Sequence, residues 1–197
     1  MITILDYGAG NLRSVENTLA ELGCAYTLVR DPEGLRRAGK ILLPGVGHFG
    51  QMMRSLDAMD VRAVLVERIR AGVPFLGICL GLQALFETSE EAPEVHGLAL
   101  FPGFVRRFSH DARVPHMGWN QLEVKADSRL VRGLPGRPFV YFAHSYYVPV
   151  VPCAAATCTY SVPYTAALEA GSVFGVQFHP EKSGPAGLKI MQNFVEM

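Results

Sequence analysis

Cys79 stands in the segment Gly77-Ile78-Cys79-Leu80-Gly81, where an apolar run gives way to a helical pattern. A cysteine at a tight strand-to-helix turn projects above a sheet, and glycines two residues either side leave the strand and helix room to approach. Amides at a helix N-terminus carry partial positive charge, which favours thiolate, the attacking form. A thiol nucleophile needs an imidazole to take and return its proton, and the imidazole needs a carboxylate to fix its tautomer. Far downstream, Gly175-Val176-Gln177-Phe178-His179-Pro180-Glu181 offers both groups, with His179 as candidate base and Glu181 as its orienting carboxylate. A third segment, Pro44-Gly45-Val46-Gly47-His48-Phe49-Gly50, is rich in glycine and can present backbone amides to a developing oxyanion. Amides of the Val46 and Gly47 region, with that of Leu80 just after the nucleophile, suit an oxyanion hole. Taken singly, each segment has a plainer reading: a buried cysteine between packing glycines, a strand-end histidine followed by proline, an ordinary turn. The third segment lacks the Gly-Lys-Ser/Thr ending of a phosphate loop, and Gly8-Ala9-Gly10 does not continue into a dinucleotide fingerprint.

Elements that could hold these residues are visible in the apolar pattern. Residues 2–5 read as a strand, and Leu12, Val15, Leu19 and Leu22 as one face of a helix, with Asn11 as N-cap and Gly23 as its stop. Strands follow at 26–29, 40–43 and 73–78, with a helix over 61–71 and another over 80–87. Four strands separated by helix-length connections imply parallel order, because parallel neighbours need long crossovers. The first half is therefore expected to be an α/β fold with a largely parallel open sheet flanked by helices. From Gly103 onward, short strand-like pieces at 139–142, 155–160, 164–169 and 173–178 imply an antiparallel extension. Residues 186–195 repeat apolar positions at helical spacing and should pack back on the sheet. Residues 87–94, with four Glu and a Pro, are the most loop-like stretch. Cys79, His179 and the 44–50 loop would all lie at the carboxyl edge of the sheet, where open α/β sheets bind ligands.

The 197 residues are 49% hydrophobic, enough for a full core, and one domain spanning 1–197 is expected. Eighteen basic and eighteen acidic residues cancel, so no global field favours nucleic acid or an anionic membrane. No apolar run approaches the roughly 20 residues of a membrane span, and Met1 leads straight into a strand, so a cytoplasmic protein is expected. The four cysteines lack zinc-site spacing and are too sparse for a disulfide framework; Cys24, Cys153 and Cys158 read as structural. Neither a metal nor a cofactor is expected.

In order and spacing, the cysteine elbow, the Pro-Gly loop and the His-Pro-Glu segment together resemble the class I glutamine amidotransferases across nearly the whole chain. That resemblance implies a flavodoxin-like fold, with Cys79 as nucleophile, His179 as general base and acid, and Glu181 orienting it. Gln83, one helical turn beyond Cys79, would recognise substrate. The segments Asp6-Tyr7-Gly8-Ala9-Gly10-Asn11-Leu12-Arg13-Ser14-Val15, His116-Met117-Gly118-Trp119-Asn120 and His144-Ser145-Tyr146-Tyr147 are similar to those of imidazole glycerol phosphate synthase glutaminase subunits. In such enzymes a (β/α)8-barrel cyclase subunit receives the ammonia, giving a heterodimer that serves histidine biosynthesis. The resemblance implies that Gly45, Gln83, His144, Ser145 and Tyr146 lie beside the glutamine. It also implies that Asn11, Arg13, Met117, Trp119 and Asn120 face the partner or the ammonia passage. Trp119, the chain's single Trp, could alternatively fill the core. A glutaminase serving another acceptor, or a silent regulatory module of the same fold, stays open on the sequence. Glutaminase activity without an acceptor wastes glutamine, so the subunit is expected to be slow until a partner docks, with the 44–47 loop as the switch.

Overall fold

The computed structural model describes residues 1–8, 12–109, 111–125 and 127–197. The chain runs β1 (Ile2–Leu5), α1 (Leu12–Glu21), β2 (Tyr26–Val29), α2 (Pro32–Arg36), β3 (Ile41–Gly45), α3 (Phe49–Ala58), α4 (Arg62–Arg70) and β4 (Phe75–Cys79). The short helix α5 (Leu80–Gln83) follows at once, then β5 (Phe86–Ser89), β6 (Phe101–Arg107), β7 (His116–Gln121), β8 (Glu123–Val124), β9 (Phe139–His144) and β10 (Tyr146–Tyr147). The last part comprises β11 (Ala154–Tyr160), β12 (Val162–Ala170), β13 (Val173–Val176) and, after a 3-10 turn at Pro180–Lys182, α6 (Gly184–Glu196).

Eight strands form the main sheet in the order β2-β1-β3-β4-β13-β12-β11-β8. The five from β2 to β13 are parallel, and β12, β11 and β8 continue the sheet antiparallel. Both faces of β1, β3, β4 and β13 are covered, which is why these strands read as nearly unbroken apolar runs, whereas β2 at the edge is only partly buried. Leu42, Leu76 and Ile78 pack with Val15 and Leu19 of α1 and with Ile190, Met191 and Phe194 of α6. Their alternating neighbours Ile41, Leu43 and Phe75 pack with Met53 and Leu56 of α3 and Leu65 and Ile69 of α4. The open α/β sheet with its antiparallel extension is thus as the sequence implies.

Two expectations are corrected. The helix over 80–87 stops after one turn at Gln83. From Ala84 on the backbone pairs with a distant segment: the carbonyls of Ala84, Leu85, Phe86 and Glu87 accept from the amides of Leu98, Leu100, Ala99 and Gly97. The chain is thereby drawn into β5, which pairs parallel with β6 in a separate small sheet completed by β10. The loop-like 87–94 accordingly begins as strand: its acidic residues mark the exposed side of an edge, and Ser89 is buried. The strands β7 and β9 form a two-stranded antiparallel ribbon in which His116 is paired with His144.

Among the described residues, no helix is long and apolar enough to cross a membrane.

Candidate active site

The parallel strands β1, β3, β4 and β13 all end at one edge of the sheet, and their carboxyl ends carry the candidate groups. Cys79 closes β4 and opens α5 with φ 54° and ψ −104°, a left-handed conformation that costs a non-glycine residue about 1–3 kcal/mol. Glycines surround this strained residue because backbone meets backbone there. A methyl at Gly77 would overlap the Gly81 carbonyl, and one at Gly81 would overlap the Leu43 carbonyl of β3. At Gly45 it would sit 2.7 Å from the Gly81 nitrogen. Only glycine lets β3, β4 and α5 close to this distance, which lifts the sulfur above the sheet edge.

Strand β13 is the parallel neighbour of β4, with Val176 opposite Ile78, so the residues just after it emerge beside Cys79. His179 Nδ1 lies 2.9 Å from Glu181 Oε1, with both side chains nearly buried. The backbone of His179 is pinned on both sides. Its N–H donates to the Tyr141 carbonyl at 2.9 Å, and its carbonyl accepts from the Ser183 hydroxyl at 2.6 Å. With Nδ1 held by Glu181, Nε2 is the nitrogen left for the sulfur. Burial alone would lower the imidazole's pKa, but hydrogen bonding to Cys79 and Glu181, and their charge, raise it to about 10. A sulfur, an imidazole and a carboxylate in this order can carry nucleophilic acyl transfer, with the imidazolium stabilised between two anionic partners.

Cys79 and His179 open into a cavity of about 170 Å³. Of the residues expected beside substrate, Gln83, His144, Ser145 and Tyr146 line it, as do Val46, Gly47 and Leu80. Gly45 and Glu181 lie behind its wall, the first under α5 and the second behind His179. Gly47 has φ +97°, a turn open to glycine, and leads into α3, whose first turn is capped by His48 Nδ1 accepting from Gly50 N–H at 3.1 Å.

Four residues that the motifs did not single out belong to this site. Gln177 is completely buried, and its Nε2 donates to Cys79 Sγ at 3.6 Å while its Oε1 accepts from Gln83 at 3.0 Å. A glutamine closing an apolar run two positions before the histidine was the available signal. Glu91 reaches the cavity wall from the loop after β5 and accepts from the Phe49 N–H at 2.7 Å. Tyr7, at the end of β1, has its hydroxyl between the N–H and the carbonyl of Val46, at 3.3 and 3.4 Å. Burial above all pushes that phenol up to about 12. His116 sits behind His144, its Nδ1 3.2 Å from His144 Nε2.

The remaining candidates that the structure describes lie away from the cavity. Asn11 is outside the described residues. Arg13 is exposed on the first turn of α1. Met117 and Trp119 are 64% and 57% exposed on β7, so the single Trp is not core filling, and Asn120 is half-buried beside them. Cys158 is buried against Tyr164, and burial raises its thiol to about 11. Cys24, Cys153 and Cys158 form no disulfide.

Residues 3–197 match the family described as glutamine amidotransferase class-I. The chain belongs to the class I glutamine amidotransferases. Among curated members of this family, the imidazole glycerol phosphate synthase subunit HisH of Methanothermobacter thermautotrophicus is 48% identical over 198 residues, covering 100% of this chain and 98% of the relative. The subunit of the same name from Moorella thermoacetica is 45% identical, covering 100% of this chain and 94% of its own length. Solved amidotransferase structures share the fold. One described as a glutamine amidotransferase superposes with a TM-score of 0.78 at 21% identity, over 99% of this chain and 97% of that one. The PurLQS structure from Thermotoga maritima gives 0.77 at 21% identity, with the same coverage of both chains.

Proposed function

We propose that residues 1–197 act as a single cytoplasmic amidotransferase domain, the glutaminase subunit of an imidazole glycerol phosphate synthase in histidine biosynthesis. The observation that carries this reading is the full-length 48% identity to a subunit of that name, joined to a sulfur, imidazole and carboxylate at one sheet edge. In the mechanism we infer, the Cys79 thiolate attacks the side-chain carboxamide carbon of glutamine. Negative charge moves to the carboxamide oxygen, where the amides of Leu80 and of the Val46–Gly47 turn receive it. The tetrahedral adduct collapses as His179 Nε2 gives its proton to the departing nitrogen, releasing ammonia and leaving a γ-glutamyl thioester on Cys79. His179, now neutral, takes a proton from water as that water attacks the thioester, and glutamate leaves with the thiolate restored. Glu181 holds the imidazole in the required tautomer throughout.

Gln83 and the 144–146 segment hold the substrate, and Glu91 supplies a carboxylate for its α-ammonium group. Ammonia passes unprotonated to a (β/α)8-barrel cyclase subunit, which makes imidazole glycerol phosphate and aminoimidazole carboxamide ribotide. The exposed Met117 and Trp119, together with Asn11, Arg13 and Asn120, form the docking face or gate for that subunit. Replacing Cys79→Ala tests the assignment directly. Glutamate production in the presence of the cyclase subunit is expected to fall to background, and persistence of wild-type turnover would remove Cys79 from the reaction.

A further inference from the structure

The outer face of β7 carries Met117 and Trp119, and its inner face carries His116, which no step of the proposed chemistry uses. The His116 ring is buried and stacked on Tyr160 and Phe142, with centroids 3.9 and 4.9 Å away. A phenylalanine would fill that stack equally well. What the imidazole adds is one directed donor and one directed acceptor.

Their direction follows from the partners. The Tyr146 carbonyl can only accept, so His144 Nδ1, 2.8 Å from it, carries the hydrogen. Burial depresses both rings, His144 to about 3 and His116 to about 4, so each is neutral near pH 7. His144 Nε2 is therefore bare and accepts from His116 Nδ1 at 3.2 Å. His116 Nε2 is bare in turn and faces Asn120 Nδ2 at 3.4 Å. From the other side, the same Tyr146 carbonyl accepts from Gln83 Nε2 at 2.9 Å. The second hydrogen of that amide goes to Gln177 Oε1, which turns Gln177 Nε2 toward Cys79 Sγ. Reversing any one member sets two lone pairs or two hydrogens face to face.

We propose that His116 is a positioning residue of the glutamine site, tying β7 and the subunit docked on it, through His144 and the Tyr146 carbonyl, to Gln83, Gln177 and Cys79. This rests on the glutaminase reading above. Without the His116 hydrogen, His144 Nε2 becomes a buried acceptor lacking a donor. If His144 then takes its other tautomer, a bare Nδ1 confronts the Tyr146 carbonyl. Tyr146 and Gln83 hold substrate rather than reacting atoms, so the loss should fall mainly on KM.

Two variants separate this relay from simple packing. His116→Phe keeps the ring stack and removes the donor, whereas His116→Asn returns an amide N–H where Nδ1 stood. In the complex with the cyclase subunit, His116→Phe is expected to lower kcat/KM for glutamine about tenfold, mostly through KM, and His116→Asn to recover it to within about threefold. Equal loss in both variants, or no loss in His116→Phe, would overturn the proposal. Nitrogen-15 histidine spectra of the wild-type chain need no variant: Nδ1–H on both His116 and His144 supports the relay, and Nε2–H on either refutes it. A wild-type complex that leaves glutamine intact would refute the glutaminase reading and the relay with it. Normal wild-type turnover beside an unaffected His116→Phe would refute the relay alone.

Discussion

The Tyr7 hydroxyl clamps the Val46 residue at both ends, accepting from its N–H at 3.3 Å and donating to its carbonyl at 3.4 Å. An amide engaged by a phenol is not free to receive an oxyanion. The clamp thus gives the proposed idling of the isolated subunit a physical reason: the Val46–Gly47 turn would have to reorient before it could serve the reaction. Each of these bonds is worth about 0.5–1.5 kcal/mol net, so Tyr7→Phe is expected to raise partner-free glutamine hydrolysis by about tenfold. Steady-state turnover of the isolated variant measures this. A fall in that activity would mean that Tyr7 supports the productive turn instead of restraining it.

Glu181→Gln removes the charge that helps hold His179 protonated, so the alkaline limb of kcat is expected to move to lower pH. The maximum should drop about 10²–10⁴-fold, the range for a mispositioned general acid–base. Stability should follow the same group. The folded imidazole titrates near 10 against an ordinary 6.5, so its stabilisation is complete below about pH 6.5 and fades as pH climbs toward 10. Urea midpoints taken at pH 7 and pH 9 should differ less in Glu181→Gln than in the wild type. An identical pH slope in the two proteins would contradict a contribution of Glu181, beside that of Cys79, to the shift.

Gly81→Ala is expected to destabilise the fold by about 3 kcal/mol or more, because its methyl overlaps the Leu43 carbonyl and the backbone of β3 cannot move aside alone. Gly39→Ala is the control: nothing lies within 4 Å of its added methyl, and its effect should stay within about 0.5 kcal/mol. Denaturant unfolding of the two variants reads the difference. Comparable stabilities would mean that the elbow tolerates a wider gap between strand and helix than its geometry implies.

Trp119 is the chain's one tryptophan and is 57% exposed, which makes it a built-in reporter of docking. Its emission should shift to the blue when the cyclase subunit binds, as water leaves the indole. Trp119→Ala is expected to weaken that association by about 2 kcal/mol, roughly thirtyfold, as buried aromatic anchors do. Calorimetric titration of the complex gives the number. Unchanged affinity would move the docking face away from β7.

Much of the parallel half of the fold was legible because strands covered on both faces must be largely apolar along their length, as in 2–5 and 73–78. The order of the cysteine, glycine-loop and His-Pro-Glu segments was legible for a related reason: each sits where a strand has to stop. Residues 80–87 misled because Leu80, Leu82 and Leu85 suit a buried helix as well as a buried turn. The backbone of 84–87 pairs with amides from 97–100 and joins a strand, and no local pattern records that. Tyr7, Glu91 and Gln177 escaped for the same physical reason. A hydroxyl, a carboxylate or an amide acquires its role from what the fold sets opposite it. The exposure of Trp119 likewise depends on β7 forming a ribbon with β9 outside the main sheet.

Strands β4 and β13 are hydrogen-bonded neighbours although most of the second half of the chain separates them. A ribosome therefore releases the strand of Cys79 long before it releases His179. Until residues 173–181 emerge and slot between β4 and β12, a nascent chain holds Cys79 without His179 or Glu181 beside it. On the proposed chemistry, chain order thus denies an incomplete translation product the means to consume cellular glutamine, because Cys79 meets its imidazole only after nearly the whole chain has been made.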